Sequence, residues 1–376
     1  MDSRLRGNDV ELKAYLFLPQ RLSMTKYIFS LIILMGLTAP AHALNVFACE
    51  PEWGSLLKEL AADTISVDVG TSALQDVHVI EAKPSLIAKV RRADLVVCTG
   101  ADLEIGWLPQ LIRQAGNPKV ASGAGYFMAA DQIQTLEKPT SLDRAEGDIH
   151  PQGNPHFQLD PYRVLAIAKA LDARLAQLDA GHAAVFQGKL ADFTTRWGAA
   201  TKQWEAKAAP LKGRKVVVHH ISWVYLLTWL GMEQIGALEP KPGVPPTSGH
   251  LAGLVETTKS SHTLAIIRAA YQDTKPGDWL SEQTGVPAVT LPFTVGGDDK
   301  SKDLFGLFDS TIDKLLALAS KPAALHRNDA AGLLAQAKDG LSAPQLRCGS
   351  RVRTCAELGA RTDEQDVQIV RIEDSK

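Results

Sequence analysis

The sequence has little net charge, little cysteine and no long apolar run. Its formal net charge of −2 leaves no basic footprint for nucleic acid and no acidic tail, so no nucleic-acid partner is expected. No stretch approaches the roughly 20 apolar residues of a membrane-spanning helix. There is no HExxH, no close-set ligand spacing of the zinc-finger kind and no repeat of solenoid length. Cysteine amounts to four residues. What remains is 376 residues with an ordinary hydrophobic content of 45%, enough for two domains with real cores.

The N-terminus reads as an address. Lys26 precedes the apolar run from Tyr27 to Leu37, and Ala41-His42-Ala43 forms an A-x-A cleavage site. This is the pattern of a secretory signal peptide, too short in its apolar core to span a bilayer. Met24 suits the start better than Met1, so 1–43 is expected to be an upstream extension plus signal peptide, cleaved after Ala43. A lipoprotein with Cys49 as the lipidated residue is the weaker alternative, because Cys49 lies too far beyond the apolar run. Export implies an oxidising compartment. Cys49 and Cys98 each end a predicted strand, and either pair in a disulfide or stay as two small buried thiols. Cys348 and Cys355 could close a small loop in the polar tail.

From Leu44 onward, short apolar runs alternate with amphipathic ones. Leu44–Cys49, Ile65–Val69 and Asp94–Thr99 read as strands, and Trp53–Ala62, Pro84–Arg92 and Trp107–Gln114 as helices. A helical period begins at Asp160, with Asp160-Pro161 as N-cap and first helical residue. Residues 182 to about 208 carry Phe186, Leu190, Phe193, Trp197 and Trp204 in a helix some 40 Å long, long enough to connect two domains. Lys215–His219, Thr263–Ala269 and Ala288–Leu291 are the later strands; Ser222–Leu230, Ser248–Lys259, Gly277–Thr284 and Leu304–Ala319 are the later helices. The pattern predicts an α/β protein whose sheets are mostly parallel and flanked by helices. Such sheets collect ligands at the carboxyl ends of their strands.

Beyond Ala43 the histidines are at 78, 150, 156, 182, 219, 220, 250, 262 and 326. His78, His150/His156 and His219/His220 fall on loops or strand ends. The stretch Gly147–Pro161 sets two of them among Gly and Pro just before a helix, which holds an imidazole still. Three imidazoles converging suit Zn²⁺, at Zn–N distances of about 2.0–2.1 Å. Successive residues at a strand end point opposite ways, so at most one of His219 and His220 should face such a site. His182 and His250 sit at helix starts and read as structural; His262 and His326 carry no case.

Several short motifs, in order, carry a resemblance. They are Asp76-Val77-His78 with Lys83-Pro84-Ser85 and Ala93–Val97; Gly153-Asn154-Pro155-His156 with Leu159-Asp160-Pro161; His220–Tyr225 with Leu230-Gly231; Glu239–Gly243; and Thr294–Gly297 with Asp303-Leu304-Phe305. Through about residue 318 the chain resembles the zinc/manganese-binding periplasmic solute-binding proteins of ABC transporters, the high-affinity zinc uptake receptor family. The resemblance implies two α/β lobes joined by one long helix, with a metal held in the cleft between them. It sets lobes at 44–181 and 210–320, the connecting helix at 182–209, and an unassigned tail at 321–376. It implies His78 and His156 as ligands from the first lobe and His220 from the second, His220 rather than His219 because of its spacing to Tyr225. The family's fourth ligand is a late carboxylate or a water; the nearest carboxylates are Asp298 and Asp299, so Asp299 or a water is expected in the fourth position. The family's long His-rich loop is missing, which leaves His150 as the auxiliary ligand. Three nitrogens and at most one oxygen favour Zn²⁺ over Mn²⁺. The implied protein is a periplasmic monomer that carries Zn²⁺ as cargo to an ABC permease and is not an enzyme. A zinc hydrolase is the competing reading, since three His with an open fourth position also hold catalytic zinc. A metal-binding adhesin or chaperone on the same scaffold is the third.

Overall fold

Short β-branched runs that are apolar on both faces need helices above and below them, which a parallel sheet with crossover helices supplies. A computed structural model, described over residues 43–320 and at Arg347–Cys348 and Arg351–Val352, contains that arrangement twice. Chain contacts divide the described residues into two units, the first taking 43–72, 77–134 and 162–197, the second 73–76, 135–161 and 198–320.

In the first unit, β1 (Leu44–Ala48), β2 (Ile65–Val69), β3 (Leu95–Cys98) and β4 (Tyr126–Met128) form one parallel sheet in the order β2-β1-β3-β4. The crossovers use α1 (Pro51–Ala61), α2 (Pro84–Arg92) and α3 (Leu108–Ala115). Each begins with a proline in its first turn, where the ring's fixed φ suits a helix and its missing N–H costs nothing. Phe47, Val90, Val96, Trp107 and Leu111 make the core on one side of the sheet. The helices α4 (Pro161–Leu178) and α5 (Ala183–Ala208) come next. α5 has 26 residues, and the division between units falls within it, after Trp197.

In the second unit, β5 (Lys215–Val218), β6 (Glu233–Ala237), β7 (Thr263–Arg268) and β8 (Ala288–Thr290) repeat the parallel order β6-β5-β7-β8. Here α6 (Val224–Leu230), α7 (Ser248–Ser260), α8 (Lys275–Thr284) and α9 (Leu304–Ala319) are the helices. Val217, Leu238, Ile266 and Leu280 pack beneath α7 and α8. The cap of α7 is Thr247, which accepts from the His250 amide.

Both sheets therefore reverse direction between their first and third strands, and the crevice at such a reversal is where α/β sheets place ligands. In the first unit that position is occupied by Cys49 and Cys98. In the second it is occupied by the residues after Val218 and Arg268.

The sequence reading misses β4 and β6. Both are edge strands: β4 has three residues, and β6 (Glu-Gln-Ile-Gly-Ala) carries polar, exposed positions that weaken its apolar signal. It also puts residues 135–161 in the first lobe, whereas their contacts group them with the second unit. The cause is polar: Asn154, Tyr225, Ile221 and Pro242 hydrogen-bond across this segment. The signal peptide, His326, the loop from Cys348 to Cys355 and the tail as a whole fall outside the described residues, apart from the short antiparallel pair at 347–348 and 351–352. No helix of the described residues is long and apolar enough to cross a membrane.

Candidate metal centre

The second unit brings His156 and His220 together. Their rings meet edge to face with centroids 5.6 Å apart, and one ligand nitrogen from each lies within 4.8 Å of the other. Both are buried, at 2% and 6% exposure. Two imidazoles this close, shielded from water, suit a shared cation when both are neutral.

His156 is placed by the loop before α4. Gly153 has φ +103°, a left-handed backbone, and a Cβ there would meet the Thr135 side chain and the Leu136 carbonyl at 2.6–2.8 Å. Asn154 then fixes the backbone on either side of the site. Its side-chain oxygen accepts from the His156 amide at 3.0 Å, and its amide nitrogen donates to the Ile221 carbonyl at 2.8 Å and to Glu137 at 3.0 Å. Ile221 directly succeeds His220, so one carboxamide ties together the backbones that carry both histidines. Phe293 closes against the His156 ring at 5.5 Å.

His220 is placed by the end of β5 and by Glu239. Its Nδ1 lies 2.7 Å from Glu239 Oε2. The same oxygen accepts from the Gly243 amide at 2.9 Å. The turn at Glu239-Pro240-Lys241-Pro242-Gly243, closed by the Val244 amide on the Lys241 carbonyl, brings Gly243 back to the carboxylate. Gly243 takes φ +73°, with Asp148 packed where a Cβ would stand. A carboxylate on Nδ1 fixes the tautomer and orientation of the ring, so that Nε2 is the nitrogen presented to a metal.

As expected, one of the two faces the candidate site: His220 groups with His156, and His219 does not. Backbone pairing runs on through His219, whose amide donates to the Ile267 carbonyl and whose carbonyl accepts from the Glu239 amide, and His219 Nε2 lies 4.0 Å from the second oxygen of Glu239. Burial lowers the His219 pKa, opposed by the Glu239 charge.

His150 is half-buried, 6.2 Å from His156, and its carbonyl accepts from Gly153. It lines a cavity of about 400 Å³ together with Glu137, Glu146, Asp148 and Asn154. His78 lies in the first unit and is half-buried. Its backbone is pinned from both sides: Trp107 donates to the Val77 carbonyl at 2.8 Å, and Gly106 packs on the His78 carbonyl, where a Cβ would come within 2.9 Å. His182 hydrogen-bonds Asp179, and His250 bonds the Ala237 carbonyl, both structural as expected.

Asp299 does not belong with the histidine pair. It is exposed on the turn after Gly297. Its neighbour Asp298 is spent on structure, accepting from Ser301 and Ser310 and pairing with Lys314 at 2.8 Å. The carboxylate the pair does have is Glu239, which the sequence shows within a motif but without a role. Its place one residue beyond the buried Leu238, at the carboxyl end of an unrecognised strand, is the signal that could have found it.

Comparison with known proteins agrees with the two-sheet fold. The manganese ABC transporter substrate-binding lipoprotein PsaA of Streptococcus anginosus is 21% identical over 286 residues, 74% of this chain and 90% of the relative. The zinc-binding lipoprotein AdcA of Streptococcus pneumoniae is 23% identical over 238 residues, 62% of this chain. The chain spans about half the length of AdcA, 46% of it. A crystal structure of ZnuA shares the fold with a TM-score of 0.63 at 22% identity, covering 74% of this chain and all of that one. The laminin-binding adhesin Lmb of Streptococcus agalactiae does so with a TM-score of 0.62 at 19% identity. The family model described as zinc-uptake complex component A, periplasmic, matches residues 46–317, and the chain, with two parallel sheets of one strand order and a paired-histidine centre, belongs to that family.

Proposed function

We propose that this protein captures Zn²⁺ as cargo and delivers it to an ABC permease. The observation that carries this reading is the convergence of His156 and His220 at the carboxyl end of β5, with Glu239 seated on His220 Nδ1. His156 and His220 serve as ligands, and His78, pinned at its own backbone, is the third. Three nitrogen donors favour Zn²⁺ over Mn²⁺, which prefers more oxygen. His150, beside the carboxylates of Glu137, Glu146 and Asp148, serves as an auxiliary donor. The family match, together with the names of AdcA as a zinc-binding lipoprotein and PsaA as an ABC transporter substrate-binding lipoprotein, supports transport.

Binding without turnover is the chemistry this centre supports. A hydrolytic zinc needs a general base beside its bound water. The carboxylate at hand, Glu239, already holds a histidine and a backbone amide. The signal-peptide pattern before Leu44 supports a periplasmic location.

The test is metal analysis of the purified mature protein, then Zn²⁺ titration of the apoprotein and of His78→Ala, His156→Ala and His220→Ala. Each variant should bind at least tenfold more weakly, and affinity should fall between pH 7.5 and 5.5 as imidazoles protonate. Full affinity in all three variants, or equal affinity at both pH values, overturns the assignment.

A further inference from the structure

The carboxyl edge of the first sheet holds a second convergence of donor atoms. Cys49 sits just past the end of β1 and Cys98 ends β3, the two strands flanking the reversal point, with Cα atoms 4.8 Å apart and their sulfurs joined in a disulfide. One oxygen of Glu104 lies within 4.8 Å of both sulfurs. All three residues are buried, the cysteines fully. Glu50 is 2% exposed beside them. Its Oε2 accepts from the Thr99 amide and hydroxyl at 3.2 and 3.1 Å, while its Oε1 is buried with no hydrogen-bond partner. Glu104 accepts from the same Thr99 amide at 2.8 Å and from the Gly100 amide at 3.0 Å, so the two carboxyl groups converge on one backbone corner.

Two buried carboxyl groups without a cation are costly, and they respond by holding protons. Burial, and then the charge of Glu104, push Glu50 well above the usual carboxylate range; burial pushes Glu104 up to about 7. A cation would relieve both.

We propose that this cluster is a latent divalent-metal site, with Cys49, Cys98, Glu104 and Glu50 as its donors, which the disulfide keeps closed. Two thiolates and two carboxylate oxygens make a four-donor set suited to tetrahedral Zn²⁺. The disulfide and the ion are alternative occupants of one space. Opening the S–S bond takes two electrons and two protons from a reductant, such as a phosphine that leaves as its oxide with the oxygen of water. Binding a divalent ion then releases the two thiol protons and those held by the carboxyl pair. Because both sulfurs are fully buried, the ion competes with oxidation while the chain folds. Closing the disulfide keeps transported metal out of a buried place from which it would leave slowly.

The test refolds the mature chain with Co²⁺, once under a phosphine reductant and once oxidised, in wild type and in a His156→Ala/His220→Ala background. Thiolate-bound Co²⁺ gives a sulfur-to-metal charge-transfer band that histidine and carboxylate ligands do not. The reduced chain should bind one more Co²⁺ than the oxidised chain and show that band in both backgrounds, whatever becomes of the histidine centre. Cys49→Ser/Cys98→Ser should abolish the band. Glu50→Gln/Glu104→Gln, which keeps both cysteines, should weaken the thiolate site at least tenfold. A folded reduced chain without the band, a band that survives the double Ser variant, or a reduced chain that fails to fold even with Co²⁺ overturns the proposal.

Discussion

The Tyr225 hydroxyl donates to the Asn154 carbonyl at 2.6 Å and accepts from the Leu136 amide at 2.8 Å. Tyr225 begins the buried face of α6, five residues after His220, and Asn154 stands two residues before His156. The phenol therefore links the helix behind one histidine to the loop that carries the other. The sequence spacing between His220 and Tyr225 has a mechanical meaning: it sets the reach from the strand end to that loop.

Tyr225→Phe tests this link. It removes only the oxygen, leaving the Asn154 carbonyl and Leu136 amide without that partner at a buried position, at a cost of roughly 1–3 kcal/mol. Denaturant unfolding should register that loss. Zn²⁺ affinity should drop several-fold, because the His156 loop is less firmly held. A loss of stability with affinity unchanged would mean that Tyr225 supports the fold and not the centre.

Glu239→Gln separates positioning from charge. The amide retains an oxygen that can accept from Gly243, but it no longer offers a carboxylate to His220 Nδ1. Removal of such a partner typically lowers metal affinity by about 10–100-fold. Competition titration with a zinc chelator should show that range, with the unfolding midpoint of the apoprotein changed little. An affinity within twofold of wild type would remove Glu239 from the centre.

The loop and strand-end positions of His156 and His220 were legible, because Gly and Pro frame the one and an α/β pattern frames the other; their choice as proposed ligands came from the family resemblance. Their surroundings were not. Glu239 depends on β6, an edge strand whose polar residues hide it, and on a turn whose Gly243 amide returns four residues back. The grouping of 135–161 with the second unit rests on hydrogen bonds between residues about 70 positions apart, such as Tyr225 with Asn154, which no local pattern encodes. Strand alternation at His219 and His220 was legible because ladder hydrogen bonds reach His219, and of the two only His220 groups with His156.

Asp298 and Asp299 were nearly indistinguishable in sequence and have opposite environments. Asp299→Ala should leave Zn²⁺ affinity within twofold of wild type. Asp298→Asn should destabilise the protein near neutral pH. Burial alone would raise the Asp298 pKa, but Lys314, Ser310 and Ser301 outweigh it and hold the carboxyl well below its ordinary value. A depressed folded pKa contributes stability above the unfolded value of about 3.9, and that contribution fades as pH falls through it. The gap between wild type and Asp298→Asn, read from denaturant curves, should therefore narrow from pH 7 toward pH 3. A gap independent of pH would show that packing, not charge, is what the substitution disturbs.

The carboxyl pair of the first sheet gives the opposite slope. Glu50 and Glu104 both have raised pKa values, Glu104 at about 7, so the folded state holds protons that the unfolded chain has released. Where the folded state binds more protons, stability falls as pH rises. The loss begins near the ordinary glutamate value of about 4.3. For Glu104 it is complete above about 7. Glu50→Gln, which stays uncharged and can still accept from Thr99, removes one partner and the repulsion it causes. With the disulfide intact, the variant should gain stability relative to wild type between pH 5 and pH 8, measured by unfolding at several pH values in chelator-treated buffer. Parallel curves for the two proteins would mean that the pair carries no proton linkage and that its burial is tolerated in some other way.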